Sequence, residues 1–148
     1  MIQEDKELLL KDLCARLFYG VKVSLQTGER KLTGVLDAVY PTDDRVIVDD
    51  LSEAIAPINV RTGGFLIERN NVKPFLRPMS SMTEDERKYI EDKCAFTTIG
   101  PIGGNFGLVM PVIAAEWLTD FYNSHYLDWR GLIEKGLALE APDGMYKV

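Results

Sequence analysis

Apolar positions recur at helical spacing near the start of the chain and then switch to strand spacing. Leu9, Leu10, Leu13 and Leu17 fall three and four apart with Cys14 beside them, which predicts an amphipathic helix over Glu4–Leu17. Acidic Glu4, Asp5 and Glu7 gather at its start and Lys11 and Arg16 come later, as the helix dipole favours. From Gly20 the period becomes two. Val21, Val23 and Leu25 alternate with Lys22, Ser24 and Gln26, the pattern of a half-buried strand. Thr27-Gly28-Glu29 reads as a hairpin turn. A second strand follows over Lys31–Tyr40, and its internal Gly34 marks a bulge or a sharp bend. After the turn Pro41–Asp44 come a third strand, Arg45–Asp49, a fourth, Phe65–Glu68, and a fifth, Val72–Leu76, which Pro74 places at an edge. Leu51–Arg61 fits neither period, and Pro57 restricts any strand there to an edge.

Beyond Leu76 the helical period returns. Pro78 holds Arg77 extended, so the stretch Val72–Ile90 reads as a rigid corner. Thr83 and Glu86 stand at capping-box spacing and open a helix to about Cys94, with Tyr89, Ile90 and Cys94 as its narrow apolar face. Ser81 or Ser80 could cap the helix instead, and capping accounts for both. Ala95–Ile99 is expected as a short strand and Gly100–Gly107 as a glycine-rich hairpin or surface loop. The spacing of that loop is not a dinucleotide fingerprint, and no Lys-Ser/Thr follows it. Pro111 suits the first turn of a helix reaching about Ser124, with Val112, Ala115, Trp117 or Leu118, and Phe121 or Tyr122 on a broad apolar face. Leu132–Lys135 reads as a short helix closed by Gly136, and the chain from Ala138 as an extended tail. The expected fold is α+β. An N-terminal helix and a small five-stranded SH3-like or Sm-like β-barrel, or an open curled sheet, fill residues 1–76, and a mainly helical part, residues 77–148, packs on them as one unit.

Two local patterns carry the second of those likenesses. Leu32-Thr33-Gly34-Val35-Leu36-Asp37 resembles the glycine-containing second strand of Sm proteins, and Ile67–Val72, with Asn70-Asn71, is similar to their fourth-to-fifth turn. Glu68 and Arg69 stand where that turn has a basic residue and a glycine. Three further stretches resemble a different group: Leu13–Lys22, Val72–Glu84 and Asp128–Leu139. Together they are similar to a family of uncharacterised proteins of gut-dwelling anaerobic bacteria and of their phages and integrated elements. Phe18, Phe75 and Trp129 replace that family's proline and two tyrosines. The resemblance implies a phage or mobile-element context and no particular chemistry.

Composition narrows the function classes. A hydrophobic content of 46% and a charged content of 27% suit a domain with a real core. No apolar run reaches the roughly 18 residues of a membrane span, and the acidic start lacks the pattern of a signal peptide, so the chain is expected in the cytoplasm. Net charge is −6, split evenly: residues 1–71 hold 9 basic and 12 acidic groups, residues 72–148 hold 8 and 11. That balance disfavours broad, charge-driven nucleic-acid binding. Cys14 and Cys94 form no CxxC pair and the single His125 has no ligand at metal spacing, so two reduced, mostly buried thiols are expected and no metal or cofactor.

Catalytic candidates are sparse. Any histidine base must be His125, which Asp120 and Asp128 flank in sequence; the plainer reading is an interface histidine among aromatics. Asp43-Asp44 and Asp49-Asp50 lack the ligand spacing of a calcium loop. The most suggestive cluster is Trp117, Phe121, Tyr122, Tyr126 and Trp129 with Arg130, either the core of the helical part or a recognition surface. Trp117, Tyr122, Tyr126, Trp129 and Arg130 are therefore the candidate binding residues of a non-enzymatic adaptor acting on a protein partner. The alternative is a nucleic-acid module on the barrel, using Lys22, Lys31, Arg45, Arg61, Arg69 and Lys73. A second copy of the chain is a further candidate partner.

Overall fold

The change of period at Gly20 is the junction of helix and sheet. In a computed structural model, which describes residues 1–52, 62–98 and 116–146, α1 (Gln3–Arg16) ends in a 3-10 turn over Leu17–Tyr19. Gly20, at φ +67°, turns the chain left-handed into β1 (Lys22–Thr27). Then follow β2 (Arg30–Tyr40), β3 (Arg45–Ser52), β4 (Thr62–Leu66), β5 (Lys73–Leu76), α2 (Glu84–Thr98), α3 (116–124) and β6 (Leu139–Glu140). Among the described residues no helix is long and apolar enough to cross a membrane.

The strands form one six-stranded open sheet in the order β4-β3-β2-β1-β5-β6. Every pair is antiparallel except β5–β6. The sequence suggested five strands. The sixth arises because the C-terminal tail is not free: Phe75 pairs with Leu139 and Leu76 with Glu140, and the Ala141 N–H donates to the Leu76 carbonyl at 2.7 Å. Among the described residues the ladders leave β4 and β6 as the two edges.

Gly34 lies at a bulge in the β2–β3 ladder, where the register shifts between Thr33 and Val35. A β-carbon there would collide with Val48 Cγ1 and stand 2.6 Å from the Asp49 carbonyl oxygen and 3.0 Å from Leu51. The glycine is thus fixed by a close approach of β2 to β3. Inward positions of the strands supply the core: Val21, Val23, Leu25, Leu32, Leu36, Val46, Val48 and Leu76, with Ile67 and Val72 from the β4–β5 connection. Leu9 and Leu13 of α1 cover this face, and Leu132, Leu137 and Ala138 from the C-terminal part join the same cluster.

Four local expectations are corrected. The buried face of α1 is rotated from the leucine stripe, so Asp12 and Arg16 have 0% exposure beside Leu9 and Leu13. Cys14 is exposed for the same reason. Residues 95–98 continue α2 instead of starting a strand. Leu132–Lys135 is a hydrogen-bonded turn instead of a helix: the Asp128 carboxylate accepts the Leu132 and Ile133 N–H groups at 2.7 and 2.9 Å, as a cap would, and the chain closes at once where the Leu137 and Ala138 N–H groups donate to the Leu132 carbonyl. The glycine-rich loop, most of Leu51–Arg61 and the start of the third helix lie outside the described residues.

Gly34→Ala is expected to lower unfolding free energy by about 2–3 kcal/mol through overpacking against β3. Urea unfolding checks this, and a loss below about 0.5 kcal/mol would contradict the close approach.

Candidate functional site

The corner after β5 is built from three side chains that meet between α2 and α3. Thr83 and Glu86 form the capping box their spacing predicts: the Glu86 N–H donates to Thr83 Oγ1 at 3.1 Å and the Thr83 N–H to Glu86 Oε1 at 2.9 Å. The same carboxylate receives a two-pronged Arg77, Nη2 to Oε1 at 2.7 Å and Nη1 to Oε2 at 3.0 Å. Arg77 also donates to the carbonyls of His125 and Ser81, each at 3.1 Å. Its backbone exchanges hydrogen bonds with the end of α3, Arg77 N–H to Tyr126 O at 2.7 Å and Asp128 N–H to Arg77 O at 2.8 Å. Arg77 thereby bonds both helices.

His125 completes the network. Its Nδ1 lies 2.8 Å from Glu86 Oε2 and its ring stacks on Phe121 at 4.0 Å. Burial alone would push the Glu86 carboxyl up. The Arg77 hydrogen bonds and charge, the Thr83 N–H and the His125 contact outweigh it and hold the group down at about 2, against an ordinary 4.5. An ionised carboxylate only accepts, so His125 Nδ1 carries the proton and donates.

Above this network lies an open cavity of about 550 Å³ between three elements. Tyr19 lines it from the turn after α1, Asp85, Glu86 and Tyr89 from α2, and Trp117, Asp120, Phe121, Ser124 and His125 from α3. Tyr89, Trp117 and Phe121 form a triangle with ring centroids 5.5–5.6 Å apart. The Ser124 hydroxyl donates to the Phe121 carbonyl at 3.0 Å, within its own helix.

The five candidate binding residues are divided by the fold. Trp117 faces the cavity, but the others knit the region together. Tyr126 stacks on Tyr146 at 3.7 Å and its hydroxyl donates to Tyr19 O at 2.6 Å. The Trp129 indole N–H donates to Asn123 Oδ1 at 2.9 Å, and Tyr122 lies 6.5 Å from the Trp129 ring. Arg130 lies 4.1 Å over the Trp129 ring and donates to Asp12 Oδ1 at 2.8 Å. Sequence reasoning passed over Tyr19, Asp85, Glu86 and Tyr89 as cavity residues. Tyr89 was visible only as one position of a narrow helix face, and the partner of that face comes from residues some 30 positions away.

The basic candidates for nucleic acid are partly gathered. Cross-strand register puts Lys22 opposite Val35, Lys31 opposite Gln26 and Lys73 opposite Ser24, all on the outward face of β1, β2 and β5. Arg45 shares that face at its far end, where it contacts the Tyr40 ring and Asp43. Arg69 sits apart, in the turn after β4 beside Thr27 and Gly28, and Arg61 lies outside the described residues. No family model, curated protein or solved structure matches the chain.

Glu86 gives a signed pH prediction. Its folded value lies below its unfolded one, so its stabilisation is complete above about 4.5 and is lost as pH falls toward about 2. At about 1.4 kcal/mol per tenfold, that difference corresponds to roughly 3 kcal/mol. Glu86→Gln is expected to lose about that amount at neutral pH and to flatten the acid limb of the stability–pH curve. Parallel acid limbs in the two proteins, measured by urea unfolding, would contradict the assignment.

Proposed function

We propose that the protein is a non-catalytic binding or adaptor protein, akin to phage or mobile-element proteins, that acts through contacts with another protein in the cytoplasm. The observation that carries this reading is the aromatic groove left open between α2 and α3. Tyr89 keeps 46% exposure on its wall, and Phe18, 91% exposed, stands edge-on at 5.5 Å to Tyr19, which lines it. Large rings grouped at a surface cavity are typical anchors for a partner side chain. His125 does lie in a cleft beside a carboxylate, as acid–base chemistry requires. That carboxylate, however, is already engaged by Arg77 and the Thr83 N–H, and the neighbouring Ser124 hydroxyl is engaged within its helix. The arrangement reads as a structural joint.

A second reading rests on the outward lysines. Lys22, Lys31 and Lys73 share one sheet face, and a helix followed by five strands, the second bulged at Gly34, supports an Sm-like or SH3-like character for the N-terminal half. Asp49 lies on the same face opposite Val35, which weakens it as a phosphate surface.

One affinity capture from the native host separates the two. The first reading expects a protein retained by wild type and lost with Trp117→Ala or Phe18→Ala, at unchanged circular dichroism. The second expects RNA or DNA, with affinity falling steeply with salt and lost in Lys31→Glu/Lys73→Glu. Protein capture indifferent to both aromatic substitutions would overturn the first.

A further inference from the structure

We infer that the groove between α2 and α3 takes a cationic partner segment, an apolar peptide or helix presenting a lysine or arginine; this rests on the protein-contact reading and gives its partner a chemistry. The inference comes from charge complementarity around the rings. Of the carboxylates lining the cavity, Glu86 is neutralised by Arg77. Asp85 on α2 and Asp120 on α3 make no ion pair among the described residues, and both are exposed. The groove therefore has an apolar aromatic wall and two uncompensated negative charges at its rim, one on each helix.

Aromatic faces attract cations, and this surface already holds one: Lys93 Nζ lies 5.7 Å from the Tyr89 ring centroid. Lys93 is the nearby competitor an incoming cation meets on Tyr89, and Phe121 is buried under His125 and Tyr89, which leaves Trp117 with the acidic rim as the place for it. An acidic or phosphorylated segment would meet Asp85 and Asp120 as like charges. The rings also argue against a small quaternary ammonium ligand. Tyr89, Trp117 and Phe121 are packed on one another at interplanar angles of 26–49°, so they do not stand as the separate walls of a cage. A long side chain lying across them, with its charge at the rim and its neighbours on the apolar wall, fits an open cavity of about 550 Å³.

The test uses three designed amphipathic peptides with the same leucine face and lysine, glutamate or glutamine on the polar face. Each is titrated into the full chain and followed by the indole N–H resonances of Trp117 and Trp129. The expected result is binding of the lysine peptide only, weakened about tenfold by Asp85→Asn/Asp120→Asn, weakened by added salt and abolished by Trp117→Ala. If all three peptides bind alike, with loss in Trp117→Ala and none in Asp85→Asn/Asp120→Asn, the groove remains a contact surface and the cationic inference fails. If no peptide shifts the Trp117 resonance, the groove is not a docking site, and both this inference and the protein-contact reading on which it rests fail.

Discussion

The Arg77 guanidinium directs its donors to Glu86, His125 and Ser81 while its own peptide groups bond the end of α3. The rest of the C-terminal architecture depends on this. Arg77 and Glu86 have side-chain exposures of only 11% and 8%, so neither charge is stable there without the other. Arg77 follows directly on β5 and Glu86 lies in the first turn of α2. Satisfying the pair therefore fixes the angle at which the chain leaves the sheet. His125, held by the same carboxylate, then sets α3 against α2, and the three rings close into one wall.

A second buried ionic group ties the N-terminal helix to the same place. Asp12 and Arg16 pair at 2.9 Å with no exposure, Arg130 reaches Asp12, and Arg16 Nη2 donates to the Leu127 carbonyl at 2.7 Å. Leu127 is also bridged to Arg77. Three stretches distant in sequence thus meet around Leu127, contributing Arg16, Arg77 and the Asp128–Arg130 turn. Their shared role is to join helix, sheet and tail, and the exposed groove lies beside that joint. Burial disfavours the charged form of Arg16, and Asp12 opposes that effect. Such pairs stabilise less than their number suggests, but breaking one leaves an uncompensated buried charge. They specify how the elements meet more than how strongly.

Local chemistry was the legible part. Alternation along β1, the turn at Gly28, the bulge at Gly34 and the Thr83–Glu86 capping box depend on residues close in sequence, and each appears as the pattern suggests. What could not be read depends on distant partners. Asp12 and Arg16 look like solvent-facing charges until Arg130 and Leu127 arrive from more than 100 residues away. The tail looked free because its strand is only two residues long and takes its ladder from β5. The cluster read around α3 mixed two groove residues, Trp117 and Phe121, with four, Tyr122, Tyr126, Trp129 and Arg130, that brace the joint. Only the position of α2 separates them.

The central claim is that the Arg77–Glu86 pair holds α2 against α3 and so builds the aromatic groove. Inter-ring nuclear Overhauser effects between Tyr89 and Phe121, whose centroids lie 5.5 Å apart, test it most directly. The account predicts these cross-peaks in wild type and their loss in Arg77→Ala, with the β1–β2 contacts intact. Cross-peaks that survive in Arg77→Ala would show that the helices meet without the pair, and would contradict it.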